Sequence, residues 1–126
     1  MSERAWYFQV VLPWPHPDLN PNARGHWSRR AGQVAQHRAL AAMTARCQPM
    51  PDMGAGPYEV SLIFHPPDRR WRDLDNMRSM CKAYQDGVCD ALGINDHAIN
   101  CDGARRGAVH KAGSVIVTIM PSEYED

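Results

Sequence analysis

Residues 66–80 read PPDRRWRDLDNMRSM and place Asp73 and Asp75 one residue apart, directly behind Arg69, Arg70 and Arg72. In an extended segment, residues i and i+2 face the same side. Two carboxylates on one side repel unless a positive charge lies between them. Mg2+ meets that need: it takes oxygen ligands in an octahedron, commonly one or two carboxylates completed by water and phosphate oxygens. A helix beginning at Leu74 would add the positive potential and free N–H groups of its N-terminus. The arginines suit phosphate, which a guanidinium grips through two parallel hydrogen bonds. Such a set would serve a metal-bound phosphodiester. The plainer alternative is that Asp75 caps the helix, Asp73 is a surface charge and the arginines neutralise both.

Other residues extend this pattern. Asp96, in GINDHAI, follows the helix. It reaches the same ion only if the next strand runs back toward the helix start, or if a second subunit supplies the ligand; otherwise it is an ordinary turn residue. Lys82 lies seven residues after Asp75, on the same helical face. It would touch a phosphate oxygen or the leaving group, or pair with Asp86 at i, i+4. From Arg24 to Arg46 there are five arginines, two histidines and no acid. Arg24, Arg29 and Arg30 therefore join Arg69, Arg70 and Arg72 as candidate nucleic-acid contacts, with a solvated surface as the alternative. The six histidines share no metal-ligand spacing, and only His97, beside Asp96, lies near the proposed chemistry. No nucleophile elbow and no glycine-rich phosphate loop is present.

The elements that must position these residues are legible from periodicity. AWYFQVVL, residues 5–12, reads as a strand. PWPHPDLNPN, residues 13–22, has four prolines and can be neither helix nor central strand. Ser28 is the expected cap of a helix running to about Cys47, with an apolar stripe of Val34, Ala35, Leu40, Ala41 and Met43. YEVSLIFH, residues 58–65, alternates as a strand. Leu74 to Leu92 is expected as one helix with Met77, Cys81, Tyr84, Val88 and Ala91 on its apolar face and Gly93 as its stop. Ala98–Arg106 and Ser114–Met120 read as two more strands. The order β, α, β, α, β, β predicts an α/β (α+β) fold: a mixed sheet with two main helices packed on it.

With 126 residues the chain is expected to be one domain, ending in a short acidic tail over residues 121–126. Acids and bases balance, so net charge points to no partner class. Cys47, Cys81, Cys89 and Cys101 form no CxxC pair and are expected to be reduced and buried in a cytoplasmic protein. No apolar run approaches the roughly 20 residues that cross a bilayer, so no membrane partner is expected.

LPWPHPDLN, GHWS, PDRRWRDLDN, KAYQDGVCDALG and NDHAI occur in an order that resembles the RusA family of Holliday junction resolvases. The resemblance runs from about Trp6 to Met120, and DRRWRDLDN is its specific part. It implies a small homodimeric Mg2+-dependent endodeoxyribonuclease of mixed α/β fold, without a small-molecule cofactor. Such proteins bind four-way DNA junctions and nick two strands symmetrically, in recombination and repair. The family's metal-holding carboxylates fall on Asp73, Asp75 and Asp96, and its helical lysine falls on Lys82. Two positions depart: Ser79 stands where that lysine can sit, and Asn95 stands where the family often has an acid. A catalytically inactive junction-binding dimer, or a nuclease acting on flaps or plain duplex, remains open at this level.

Overall fold

Four segments become the strands of one sheet, three of them rich in β-branched and aromatic residues and the third in chain order not: β1 (Phe8–Pro13), β2 (Tyr58–His65), β3 (Ile99–Arg106) and β4 (Ser114–Pro121). This computed structural model describes residues 6–54, 56–95 and 99–122, without the side chains of Cys101 and Asp102. The sheet order is β1-β4-β2-β3, with β4 antiparallel to β1 and to β2 and β3 parallel to β2. Phe8, Val10 and Leu12, Val60, Leu62 and Phe64, and Val115, Val117 and Ile119 are all buried and form the sheet side of the core. The protein is a small mixed α/β domain with three α-helices among the described residues, one more than the two expected.

β3 and β4 are joined by residues 107–113 but do not pair with each other. β2 lies between them, so this connection arches over the end of β2. The β2–β3 ladder also carries a bulge. Val60 pairs with Cys101 and Ser61 with Gly103, so residue 102 is the extra one. A one-residue shift exchanges the two faces of a strand. Ile99 packs against the core before the bulge and Ala104 after it. Arg106, opposite Phe64, thus falls on the core face, and Arg105, opposite Ile63, on the other.

The first helix, α1, is Trp27–Arg46, and its cap is His26 rather than Ser28: the His26 side chain accepts from the Ser28 N–H. The expected apolar stripe is displaced as well. Ala41, Ala42 and Ala45 are buried, whereas Leu40 and Met43 are exposed. The cause is the partner helix. A Cβ on Gly87 would come within 2.2 Å of the Arg38 carbonyl oxygen and 2.9 Å of the Ala41 Cβ. Contact that close admits only small residues. Arg38 fastens the same crossing through Nε to Asp90 Oδ2 at 2.6 Å and Nη2 to Asp90 Oδ1 at 2.8 Å.

The expected helix from Leu74 to Leu92 is two helices, α2 (Leu74–Met80) and α3 (Lys82–Leu92). Cys81, at φ −100 and ψ 4, leaves helical geometry between them. Its N–H is shared between the carbonyls of Met77 and Arg78. The apolar face survives the break, since Met77, Cys81, Tyr84 and Val88 are all buried. Gly93 ends α3 in the left-handed region at φ 70, as expected. Burial raises the Cys81 thiol to about 12. Cys47 departs from expectation by being exposed. The proline-rich segment contains one 3-10 turn, Pro17–Leu19, with Pro17 at its start where a missing N–H is harmless.

Gly87→Ala is expected to lower stability by about 1–3 kcal/mol, because the added methyl forces α1 off α3. Gly32→Ala, in open space on α1, is expected to raise it by roughly 0.5–1 kcal/mol. Urea denaturation of the two variants checks the pair, and equal effects would contradict the close crossing.

Candidate functional site

Three connections meet at one end of the sheet. Pro13 and His65, the last residues of β1 and β2, both pair with Ser114, and Arg106 at the end of β3 adjoins Phe64. Residues 14–26, 66–73 and 107–113 therefore surround this end. The first two enclose a cleft of about 520 Å3 whose walls include Trp14, Arg70, Trp71, Arg72, Asp73 and Asn76.

The proline-rich wall is held by polar contacts. The Tyr84 hydroxyl donates to the Pro13 carbonyl at 2.8 Å. Arg30 Nη1 donates to the carbonyls of Leu19 and Asn20 at 3.1 and 3.2 Å. The His16 N–H donates to His37 Nε2 at 3.1 Å. His37 Nδ1 lies 2.7 Å from the Gln33 carbonyl, so this ring is neutral with its proton on Nδ1. Arg30, a candidate nucleic-acid contact, braces this loop against α1 through Nη1 and remains exposed.

Asp73 is the N-cap of α2: its Oδ1 accepts from the Asn76 N–H at 3.1 Å. The capping role anticipated for Asp75 thus belongs to Asp73. Asp75 lies in the first turn of α2, exposed, with no hydrogen bond or ion pair among the described residues. Asp73 has one carboxylate oxygen beyond its cap bond. Neither acid is neutralised by the arginines before it. Arg72 turns the other way, pairing with Asp68 at 2.9 Å and lying over the Trp14 ring at 5.3 Å. It also donates to the Arg70 carbonyl at 3.1 Å. The Arg72 hydrogen bond, then the Arg70 N–H, lower the Asp68 pKa, so Asp68 stays ionised.

Lys82 Nζ pairs with Asp86 Oδ1 at 2.8 Å on α3. Lys82 opens onto a separate cleft of about 330 Å3 with Arg78, Ser79 and Gln85, not onto the one lined by Asp73. Arg24 and Arg29 line a third cleft, beside His26 and Trp27. Asp96 and His97 lie outside the described residues. Among the described residues no group of three or more His, Cys, Asp or Glu is placed to hold a metal ion.

Two features here were not read from the sequence. Arg106 Nη2 donates to the Arg72 carbonyl at 2.9 Å, joining the arch to the DLD loop. His65 and His110 stack with ring centroids 4.1 Å apart and planes 2° from parallel. Gly107 permits this, since a Cβ there would meet the His65 ring at 2.4 Å. The adjacent pair Arg105–Arg106 was visible, but which one faces the site depends on the bulge.

Fold and site together define a small α/β domain with an acidic helix start set among arginines at one sheet end. No protein-family model matches the sequence. The chain is 40% identical over 113 residues to an uncharacterized protein of Xylella fastidiosa, across 87% of this chain and 74% of that protein. It belongs to the same family as that protein. No helix among the described residues is long and apolar enough to cross a membrane.

Desolvation by burial is the largest effect on His37 and lowers its pKa; the Gln33 hydrogen bond raises it in part, and the neighbouring His16 adds a smaller lowering. A lowered folded-state value means that the unfolded chain binds more protons. The contribution is therefore complete above the unfolded value near 6.5 and is lost as pH falls through the folded one. Urea midpoints are expected to fall from pH 7.5 to 5 more steeply in wild type than in His37→Gln. Parallel curves would show that the His16–His37 bond is not pH-linked.

Proposed function

We propose that this chain is a Mg2+-dependent endodeoxyribonuclease that acts on branched DNA, four-way junctions above all, as a homodimer. The observation that carries the reading is the pair Asp73 and Asp75. Both are acids without a cationic partner among the described residues, although three arginines precede them. A spare oxygen on Asp73 and an unpartnered Asp75 carboxylate suit a hard cation that keeps several waters. Bound Mg2+ would supply a Lewis acid that activates water and offsets charge at phosphorus. The resemblance to RusA resolvases in DRRWRDLDN supports the same assignment.

The chain's own residues have distinct parts in this scheme. Asp73 and Asp75 hold the ion, and Asp96 completes the set. Asp96 lies outside the described residues, and in this scheme it comes from the same subunit or from the second one. A two-fold dimer then has two equivalent sites for two equivalent strands. Arg69 and Arg70, free of ion pairs among the described residues, receive the DNA backbone, with Arg24 and Arg29 on the flanking cleft. Arg72 positions the loop. Lys82 would act on the phosphate only after leaving Asp86.

Two observations favour a second reading, a non-catalytic junction-binding dimer. Asp73 already serves as a cap, and Lys82 already has Asp86.

A branched four-strand DNA separates the two. Wild type is expected to cut it with Mg2+ and not in EDTA. Asp75→Asn is expected to bind it with affinity within about threefold and to cut at least roughly 100-fold more slowly. Binding with no metal-dependent product from wild type establishes the second reading, and equal cutting by variant and wild type removes Asp75 from the chemistry.

A further inference from the structure

A further cleft, about 300 Å3, lies between the DLD loop and the arch over β2, and its walls include Asp68, Arg69, Arg70, Arg72 and Arg106. Four guanidiniums thus face one carboxylate. That carboxylate is already held by Arg72 at 2.9 Å. Arg69, Arg70 and Arg106 make no ion pair among the described residues. No acid occurs anywhere from Gly103 to Ser122 to compensate them. Like charges gathered in one concavity raise the potential there and attract an anion. Guanidiniums present their donors as planar forks that match a phosphate.

We propose that this cleft is a second phosphate site, in which Arg69, Arg70 and Arg106 hold a nucleic-acid backbone phosphate neighbouring the one at Asp73 and Asp75. The inference rests on the reading of this sheet end as the face that meets DNA. The two clefts share a wall, since Asp68, Arg70, Trp71, Arg72 and Met77 border both. A ligand with successive phosphates crosses that wall, whereas a free phosphate fills one side of it.

Arg106 is held in place before any ligand arrives. The bulge at residue 102 turns its side chain toward the cleft and sends that of Arg105 to the opposite face. One of its five donors is engaged by the Arg72 carbonyl. The arch beside it is fixed by Gly107 N–H to the Phe64 carbonyl at 2.7 Å and His110 N–H to the Pro66 carbonyl at 3.0 Å. His65 Nδ1, 2.8 Å from the Ala108 carbonyl, and the stacked imidazoles add to that.

The test is binding of a four-way DNA junction in EDTA, measured against salt concentration, for the full-length wild type and its variants. Arg106→Gln keeps a donor for the Arg72 carbonyl and removes the charge. It is expected to weaken binding severalfold and to reduce the slope of log K against log salt by about 1. Arg106→Lys is expected to keep the slope, and Arg105→Ala to change neither quantity. A slope for Arg106→Gln equal to wild type, with an unchanged melting temperature, overturns the site. If Arg106→Gln melts early, the comparison passes to Arg69→Gln, which is expected to lower the slope by about 1; a wild-type slope there overturns the site. Titration with inorganic phosphate tests the other source of the same chemistry. Phosphate binding that depends on Arg106, with a DNA slope that does not, overturns the nucleic-acid assignment. An Arg106-dependent slope without Mg2+-dependent cutting leaves this site standing and sinks the nuclease; cutting with an unaffected slope does the reverse.

Discussion

A parallel pair of strands cannot be closed by a tight turn, because the chain must first return along the full length of the strand. β2 and β3 impose that return, and α2 and α3 carry it across the sheet face. Asp73 accordingly opens α2 at the end of the sheet where β2 finishes, and Arg106 ends β3 at the same place. β4 runs the opposite way from the same end, so the chain between β3 and β4 must arch over β2. One pairing choice thus gathers an acidic helix start, an arginine-rich loop and a cationic arch that are distant in sequence.

Formal charge at this end overstates what is available to a ligand. Arg72 is tied to Asp68, to the Arg70 carbonyl and to the Trp14 ring. Arg30 holds two carbonyls of the proline-rich loop, and Arg38 is bidentate to Asp90. These three stabilise walls and crossings. Arg69, Arg70 and Arg106, like Arg24 and Arg29, make no ion pair among the described residues. The acids sort in the same way. Asp68 and Asp90 have guanidinium partners that lower their pKa values, while Asp73 and Asp75 have none.

Where side-chain alternation alone decides, the sequence was sufficient. β2 and the apolar face from Met77 to Val88 fall where the period places them, and Gly93 ends its helix. The misses come from contacts between distant segments. Nothing around Cys81 is a helix breaker, so the division of α2 from α3 has no local signal. The stripe assigned to α1 went to its largest apolar residues, yet Gly87 draws that helix close enough that only alanines fit between. Cap identity was confused at both helices where a polar residue lay within two positions of the true cap, His26 for Ser28 and Asp73 for Asp75. At the site, the acids and the arginine loop were legible because they are contiguous. Arg106 was not, because an extra residue in a strand leaves no mark on the composition around it.

The keystone of the site is therefore a residue that needs no ligand of its own. Arg72 reaches Trp14 on the proline-rich loop and Asp68 on its own, while Arg106 holds its carbonyl from the end of β3. Each contact alone is modest, since exposed ion pairs are screened by water and salt. Their effect is geometric: the proline-rich loop, the DLD loop and the end of β3 are cross-linked within one residue of Asp73. A loop so anchored presents its neighbouring charges in a fixed arrangement, and the ordering needed to receive a phosphate is largely complete before it arrives. The same economy explains why Arg72 sits among free arginines without being one of them. A guanidinium that both stacks and forks can join an aromatic wall to a carboxylate, which a lysine in its place would not do.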